Sequence, residues 1–164
     1  MISSLIADYL EKENSADILI ELDMESFKVK ALAPERTFCE KILALRRASH
    51  KDSNFFGARI RHVYDLHQLY HSKRIQKFIL DTNSFKEVLT KCYVDDESNI
   101  KLTAEIGGAF TKSKIFSTPK EKIEEVKTQY ENLKNITFNN SLPRLDEVST
   151  TLNSIGRVLK DYSF

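Results

Sequence analysis

Apolar residues recur at alternating steps of three and four along much of this 164-residue chain, and that spacing commits it to a mainly α-helical fold. The clearest run is Leu145, Val148, Leu152, Ile155, Leu159 and Tyr162. It predicts a helix from near Pro143, whose apolar stripe must pack on something. Phe56, Ile60, Val63, His67 and Tyr70 fall within about 80° of one another on a helical wheel, predicting a helix over roughly 55–72. Ile123, Val126, Tyr130 and Leu133 predict another from about Pro119 to Lys134. Ile2, Leu5, Ile6, Tyr9 and Leu10 predict one over 2–13. Short helices are expected at 74–80 and 84–93. Residues 94–118 are the least legible, with polar turns expected around Asp95-Asp96 and Gly107-Gly108.

Two segments break the helical period. Residues 17–22 and 26–32 are short and rich in Ile, Leu and Val, and read as strands around Asp23-Met24-Glu25. The expected class is therefore α+β, mainly α-helical, with a short β element near the N-terminus. Length predicts a single domain, 1–164. Its parts are a helix and short strands over 1–33, two motif-bearing helices over 34–72, and a helical region over 73–164. No apolar run approaches the ~18 residues of a membrane span. Asp8, Glu11 and Glu13 arrive too early for a secretion signal, so a cytoplasmic protein without a membrane partner is expected. Cys39 and Cys92, the only cysteines, lack the C-x-x-C spacing of metal or redox motifs and are expected as reduced thiols.

Net charge is only +1, but it is unevenly placed. Residues 41–77 carry nine Lys and Arg against Asp52 and Asp65, a surplus of +7, which leaves about −6 elsewhere. Such a block suits an anionic partner, or is simply a solvated helix surface.

Within this block, Lys41 is the sharpest residue. Thr37-x-x-Glu40 fits a capping box and predicts a helix over Thr37 to about His50, with Pro34 at the first helical position as the alternative. On that helix Lys41 is surrounded by Thr37, Phe38, Ala44, Leu45 and Ala48. An ammonium on a small, apolar face near a positive helix end is costly unless an anion binds there. Free N–H groups plus an ammonium make a phosphate site. The alternative is a lysine whose stem packs while its head reaches water.

Three other groupings are weaker. Arg61 and Asp65, four apart with His62 between, are either an exposed pair or an arginine and an orienting carboxylate. His67 and His71 share the spacing of helical metal pairs, but no third ligand lies near and His67 falls on the apolar stripe, so no metal site is expected. Glu21, Asp23 and Glu25 alternate as a metal-binding strand would, but with no Gly-Ser or Gly-Gly turn upstream they read as a polar turn.

The run Pro34-Glu-Arg-Thr-Phe-Cys-Glu-Lys-Ile-Leu-Ala-Leu45 resembles a motif of the AbiEii/AbiGii nucleotidyltransferase-like toxins, and Arg59-Ile-Arg-His-Val-Tyr-Asp-Leu66 resembles the motif that follows it. Ser141-Leu-Pro143 before a last helix is similar to the family's ending. These proteins are the toxin halves of bacterial abortive-infection toxin–antitoxin pairs. The resemblance implies the helical C-terminal part of a nucleotidyltransferase-like fold. It also implies nucleoside triphosphate and Mg²⁺ in the full-length enzyme, a cognate antitoxin, and tRNA as an acceptor, since some members modify tRNA. It places Lys41 at the triphosphate-facing lysine, Asp65 at the last aspartate of an Arg-x-x-Asp-x-x-Asp pattern and Arg59 at its arginine. Thr37 and Arg61 are the further nucleotide-binding candidates. His62 stands where the family has that pattern's first aspartate. Nothing in residues 1–33 matches the family's Gly-Gly/Ser turn or Asp-x-Asp strand, and nucleotidyl transfer needs carboxylates to hold metal against the triphosphate. The chain is therefore expected to be a C-terminal portion that binds neither cofactor alone and is inactive alone. The other reading is a non-catalytic RNA- or antitoxin-binding helical module.

Overall fold

The computed structural model describes all residues except 1–3, 14, 25–27, 29, 107–108, 111–112, 138–140 and 163–164. The chain divides into two compact units, Met1–Leu32 and Ala33–Phe164. The first holds α1 (Leu5–Lys12) and α2 (Ala16–Glu21). Ser4 caps α1 by accepting the Ala7 N–H at 3.0 Å.

The described residues contain no strand. The strand expected over 17–22 is α2 instead. A six-residue run is too short to fix its period, and a buried Leu19 between exposed Ile18 and Ile20 would suit a strand as well; the i to i+4 bond from the Leu22 N–H to the Ile18 carbonyl, at 3.0 Å, makes it a helix. Glu21 ends this helix, and Asp23 follows with φ 52, a left-handed turn residue. Glu21 and Asp23 therefore do not share a strand face, and Glu25 lies outside the described residues. The second expected strand, over 26–32, includes residues outside those described.

The second unit is built around α3 (Pro34–Ser49). Phe38, Cys39, Ile42, Leu43, Leu45, Arg46, Ala48 and Ser49 are all buried, a pattern that reaches most of the way round the helix. A helix covered on most sides lies in the core, and its charged side chains then need partners there. Around it lie α4 (Ser53–Gly57), α5 (Arg61–Tyr70), α6 (Lys73–Leu80), α7 (Thr82–Asn99), α8 (Lys101–Ile106) and α9 (Lys114–Ser117), each packed on α3. Next come α10 (Pro119–Glu124), α11 (Lys127–Asn132) and a 3₁₀ turn, Leu133–Ile136. The last helix, α12 (Leu145–Leu159), packs on α5, α9 and α10. Its stripe is as expected: Val148, Leu152, Ile155 and Leu159 are buried.

Helix boundaries differ from the periodicity for local reasons. Helix α3 starts at Pro34, with Ala33 extended before it; Glu40 pairs with Arg36 at 2.8 Å. Thr37 is therefore inside the helix, and Pro34 occupies the first helical position. The 55–72 helix is two helices. Asp52 caps α4 by accepting the Phe55 N–H at 2.9 Å, and backbone bonds of the tighter i to i+3 type carry the chain from Gly57 to α5. Gly57 sits under the Gln129 side chain, 3.2 Å from where a Cβ would lie. Asp95-Asp96 lies within α7, not in a turn. The 119–134 helix breaks at Glu125-Val126. Helix α12 begins two residues after Pro143, where the Arg144 N–H donates to Glu147 Oε2 at 2.8 Å.

Gly156 lets α12 approach α9 closely: a Cβ there would stand 2.5 Å from the Phe116 carbonyl oxygen. Gly156→Ala is expected to destabilise the protein by about 1–3 kcal/mol, since backbone must shift to admit one methyl. Urea unfolding of the two proteins measures this; equal midpoints would contradict so tight an approach.

Candidate functional site

The two sequence motifs meet at one contact. Lys41, two turns into α3, donates to Asp65 Oδ2 on α5 at 2.6 Å. Their side chains are 21% and 22% exposed, neither free in water nor sealed in the core. His62 Nδ1 lies 3.4 Å from the Lys41 Nζ and 3.9 Å from Asp65 Oδ2, and Arg61 Nε is 4.0 Å from the same oxygen. Burial pushes the Asp65 carboxyl up. The contacts with His62 and Lys41 and the charges of Lys41 and Arg61 outweigh it, so the pKa lies below the ordinary value. Asp65 is a carboxylate at neutral pH, and it aims the ammonium. Of the three Lys41 N–H groups one goes to Asp65 and one faces His62, leaving one for a ligand oxygen.

Lys41 opens onto a cleft of about 310 Å³ between α3 and α7. Arg36, Thr37, Glu40, Lys41, His62 and Asp95 are among its walls. Asp65, behind Lys41, borders a separate hollow with Arg61 and Tyr64. Thr37 is therefore at the Lys41 cleft, and Arg61 lies beside Asp65. Arg59 is on neither wall. Its guanidinium stacks 3.7 Å over the Phe55 ring.

Sequence reading missed the network on the far wall. Arg36 donates to Glu40 at 2.8 Å and to Asp95 at 2.6 Å, and Arg47 pairs with Asp96. The Arg36–Glu40 spacing of four was a visible signal. The partners on α7 were not, because Asp95-Asp96 reads as a turn.

The carboxylates around the cleft each face a cation: Glu40 and Asp95 face Arg36, Asp96 faces Arg47, and Asp65 faces Lys41. Among the described residues no three His, Cys, Asp or Glu are placed to hold a metal ion. This donor set does not fit a divalent metal by itself, and no step is assigned through one. The basic block is partly spent in the same way. Besides Lys41 and Arg47, Arg74 makes a two-pronged pair with Glu35 at 2.6 and 2.9 Å, and buried Arg46 stacks 4.7 Å over the Phe110 ring. Lys51, Arg61, Lys73 and Lys77 remain exposed.

His67 and His71 form a packed pair, with ring centroids 4.6 Å apart. His67 Nδ1 and His71 Nε2 both approach Thr151 Oγ1 on α12, at 3.0 and 3.3 Å.

These features define a helical domain with a lysine aimed by a carboxylate at an open cleft. A family model described as "Nucleotidyl transferase AbiEii toxin, Type IV TA system" matches residues 5–149, and the chain belongs to that family. As a toxin family of type IV toxin–antitoxin systems, it implies a cognate antitoxin as partner. No curated protein and no solved structure matches the chain. Among the described residues no helix is long and apolar enough to cross a membrane.

Burial, then the neighbouring His71 charge, lowers the His67 pKa from its ordinary value, with Glu147 opposing. A histidine held neutral by the fold contributes stability that is present above its unfolded pKa of about 6.5 and is lost as pH falls below it. The Tm is therefore expected to fall between pH 7 and 5.5, and His67→Gln should flatten that slope. His50, also lowered by burial, leaves a residual slope. An unchanged slope in the variant would contradict the assignment.

Proposed function

We propose that this chain is the C-terminal portion of an AbiEii nucleotidyltransferase toxin and supplies one wall of its active site. Lys41 faces the triphosphate and neutralises its charge. Asp65 holds the ammonium in place and, in the assembled enzyme, orients the attacking hydroxyl. Thr37 and Arg61 add hydrogen bonds and charge to the phosphates, and tRNA is the acceptor. The observation that carries this reading is the 2.6 Å Lys41–Asp65 contact, which joins residues 24 apart, one from each motif, at the edge of an open cleft. The wall that grips metal is not found in this sequence: residues 1–33 hold neither a Gly-Gly/Ser turn nor an Asp-x-Asp strand. Nucleotidyl transfer needs divalent metal held by carboxylates against the triphosphate, and the carboxylates here are already paired with cations. The chain alone is therefore inactive, and incubation with labelled nucleoside triphosphates, Mg²⁺ and tRNA is expected to give no labelling. Labelling that depends on Lys41 would overturn the division of labour.

The anion site itself is testable without catalysis. Inorganic tripolyphosphate at millimolar concentration is expected to shift the amide resonances of Thr37, Lys41 and His62, and Lys41→Gln to abolish the shifts. Asp65→Asn removes a negative charge, so bulk electrostatics predicts tighter binding. An ammonium that has lost its hold predicts weaker binding, by roughly two- to tenfold. Tighter binding in Asp65→Asn would sink the positioning role.

The basic block favours a second reading, a non-catalytic module for RNA or antitoxin. It predicts RNA affinity that falls steeply with salt. Its weakness is that Lys41, Arg46, Arg47 and Arg74 are engaged within the fold.

A further inference from the structure

Among the described residues, His62 alone of the chain's four histidines borders the Lys41 cleft. It lies on α5, one turn before Asp65, and its side chain is 32% exposed. Its Nδ1 is 3.4 Å from the Lys41 Nζ and 3.9 Å from Asp65 Oδ2. These two neighbours ask opposite things of the same ring atom. An ammonium is only a donor, so the Lys41 contact is favourable while Nδ1 carries a lone pair, which puts the proton of a neutral ring on Nε2. A carboxylate is only an acceptor, so Asp65 is served when Nδ1 carries a proton. Histidine is the side chain that ordinarily changes charge between pH 5 and 8.

We infer that His62 couples anion binding in the Lys41 cleft to the uptake of one proton. The neutral ring occupies one Lys41 N–H and adds no charge. A proton taken from solvent onto Nδ1 ends that contact, since two donors then face each other, and turns the ring towards Asp65. Lys41 regains an N–H, so two rather than one can meet a ligand oxygen, and the wall gains a unit of positive charge. An anion prefers that state and therefore binds together with the proton.

The charged groups facing the ring are Lys41 from α3 and Asp65 from its own helix, with Arg61 4.0 Å from the same Asp65 oxygen. Asp65, whose pKa lies below its ordinary value, stays a carboxylate throughout. Farther along the cleft, Arg36, Glu40, Arg47, Asp95 and Asp96 pair among themselves. Any pH dependence they contribute persists when His62 is replaced, and so can be subtracted.

This coupling rests on the anion site proposed above, and the test separates the two. The probe is trimetaphosphate, whose own charge does not change over this pH range. It is titrated into the full chain at about pH 8 and about pH 5.5 and followed through amide and imidazole resonances. Affinity is expected to rise about three- to tenfold at the lower pH, the effect of one added charge and one freed donor. In His62→Gln it should change by less than about twofold, and in His62→Arg, whose charge is permanent, it should be high at both pH values. Reciprocally, saturating trimetaphosphate should move the His62 imidazole midpoint up by about half to one pH unit in the unaltered chain. That readout does not depend on any variant folding. An equal pH dependence in His62→Gln, or a His62 midpoint that the anion leaves unmoved, would overturn the coupling and leave the anion site standing. No binding at either pH would overturn both.

Discussion

The Lys41–Asp65 ion pair is the contact on which the site depends. An ammonium on the core helix needs a counter-charge, since leaving it partly buried and unpaired costs several kcal/mol. Asp65 supplies that charge from α5, and the 2.6 Å contact fixes α3 and α5 in register at their open edge. At 21% and 22% exposure the pair lies between the weak surface regime and the costly buried one. It is dry enough to hold its geometry and wet enough to be reached by an anion. The position also explains why a lysine is tolerated on the helix at the centre of the core. Its stem crosses the margin of the core, and its head emerges into the cleft.

The same logic runs through the rest of the second unit. Cations that would otherwise crowd α3 are each given a local partner: Arg36 on Glu40 and Asp95, Arg47 on Asp96, Arg74 on Glu35. The price falls on α7 and the start of α3, which hold the carboxylates. Arg47 and Arg74 of the basic block are thus each paired with a carboxylate from outside it, Asp96 and Glu35. This pairing reduces the charge left for nucleic acid and leaves the cleft carboxylates with little capacity for a metal. Both consequences fit a wall of a larger active site better than a site complete in itself.

Much of this was legible in the sequence. The α12 stripe, the placement of Lys41 and Asp65 on two helices, and the family followed from spacing and motif. What was missed was missed for identifiable reasons. The 17–22 run is too short for its period to tell helix from strand, and only the backbone bonds, Leu22 N–H to the Ile18 carbonyl among them, separate the two. Thr37-x-x-Glu40 looked like a cap, but Pro34 had already begun the helix and Arg36 drew Glu40 away. Asp95-Asp96 looked like a turn because acidic pairs often are; here each answers an arginine on α3. Leu66, fully buried on α5, was left off the predicted stripe although it lies three residues beyond Val63.

The central claim is that Lys41 and Asp65 act as one unit across α3 and α5. A double-mutant cycle on unfolding free energy, with Lys41→Met, Asp65→Asn and the combination, tests it most directly. The account predicts that each single change destabilises the protein and that the double change costs less than their sum, with a coupling of about 1–2 kcal/mol. Additivity within about 0.3 kcal/mol would contradict it.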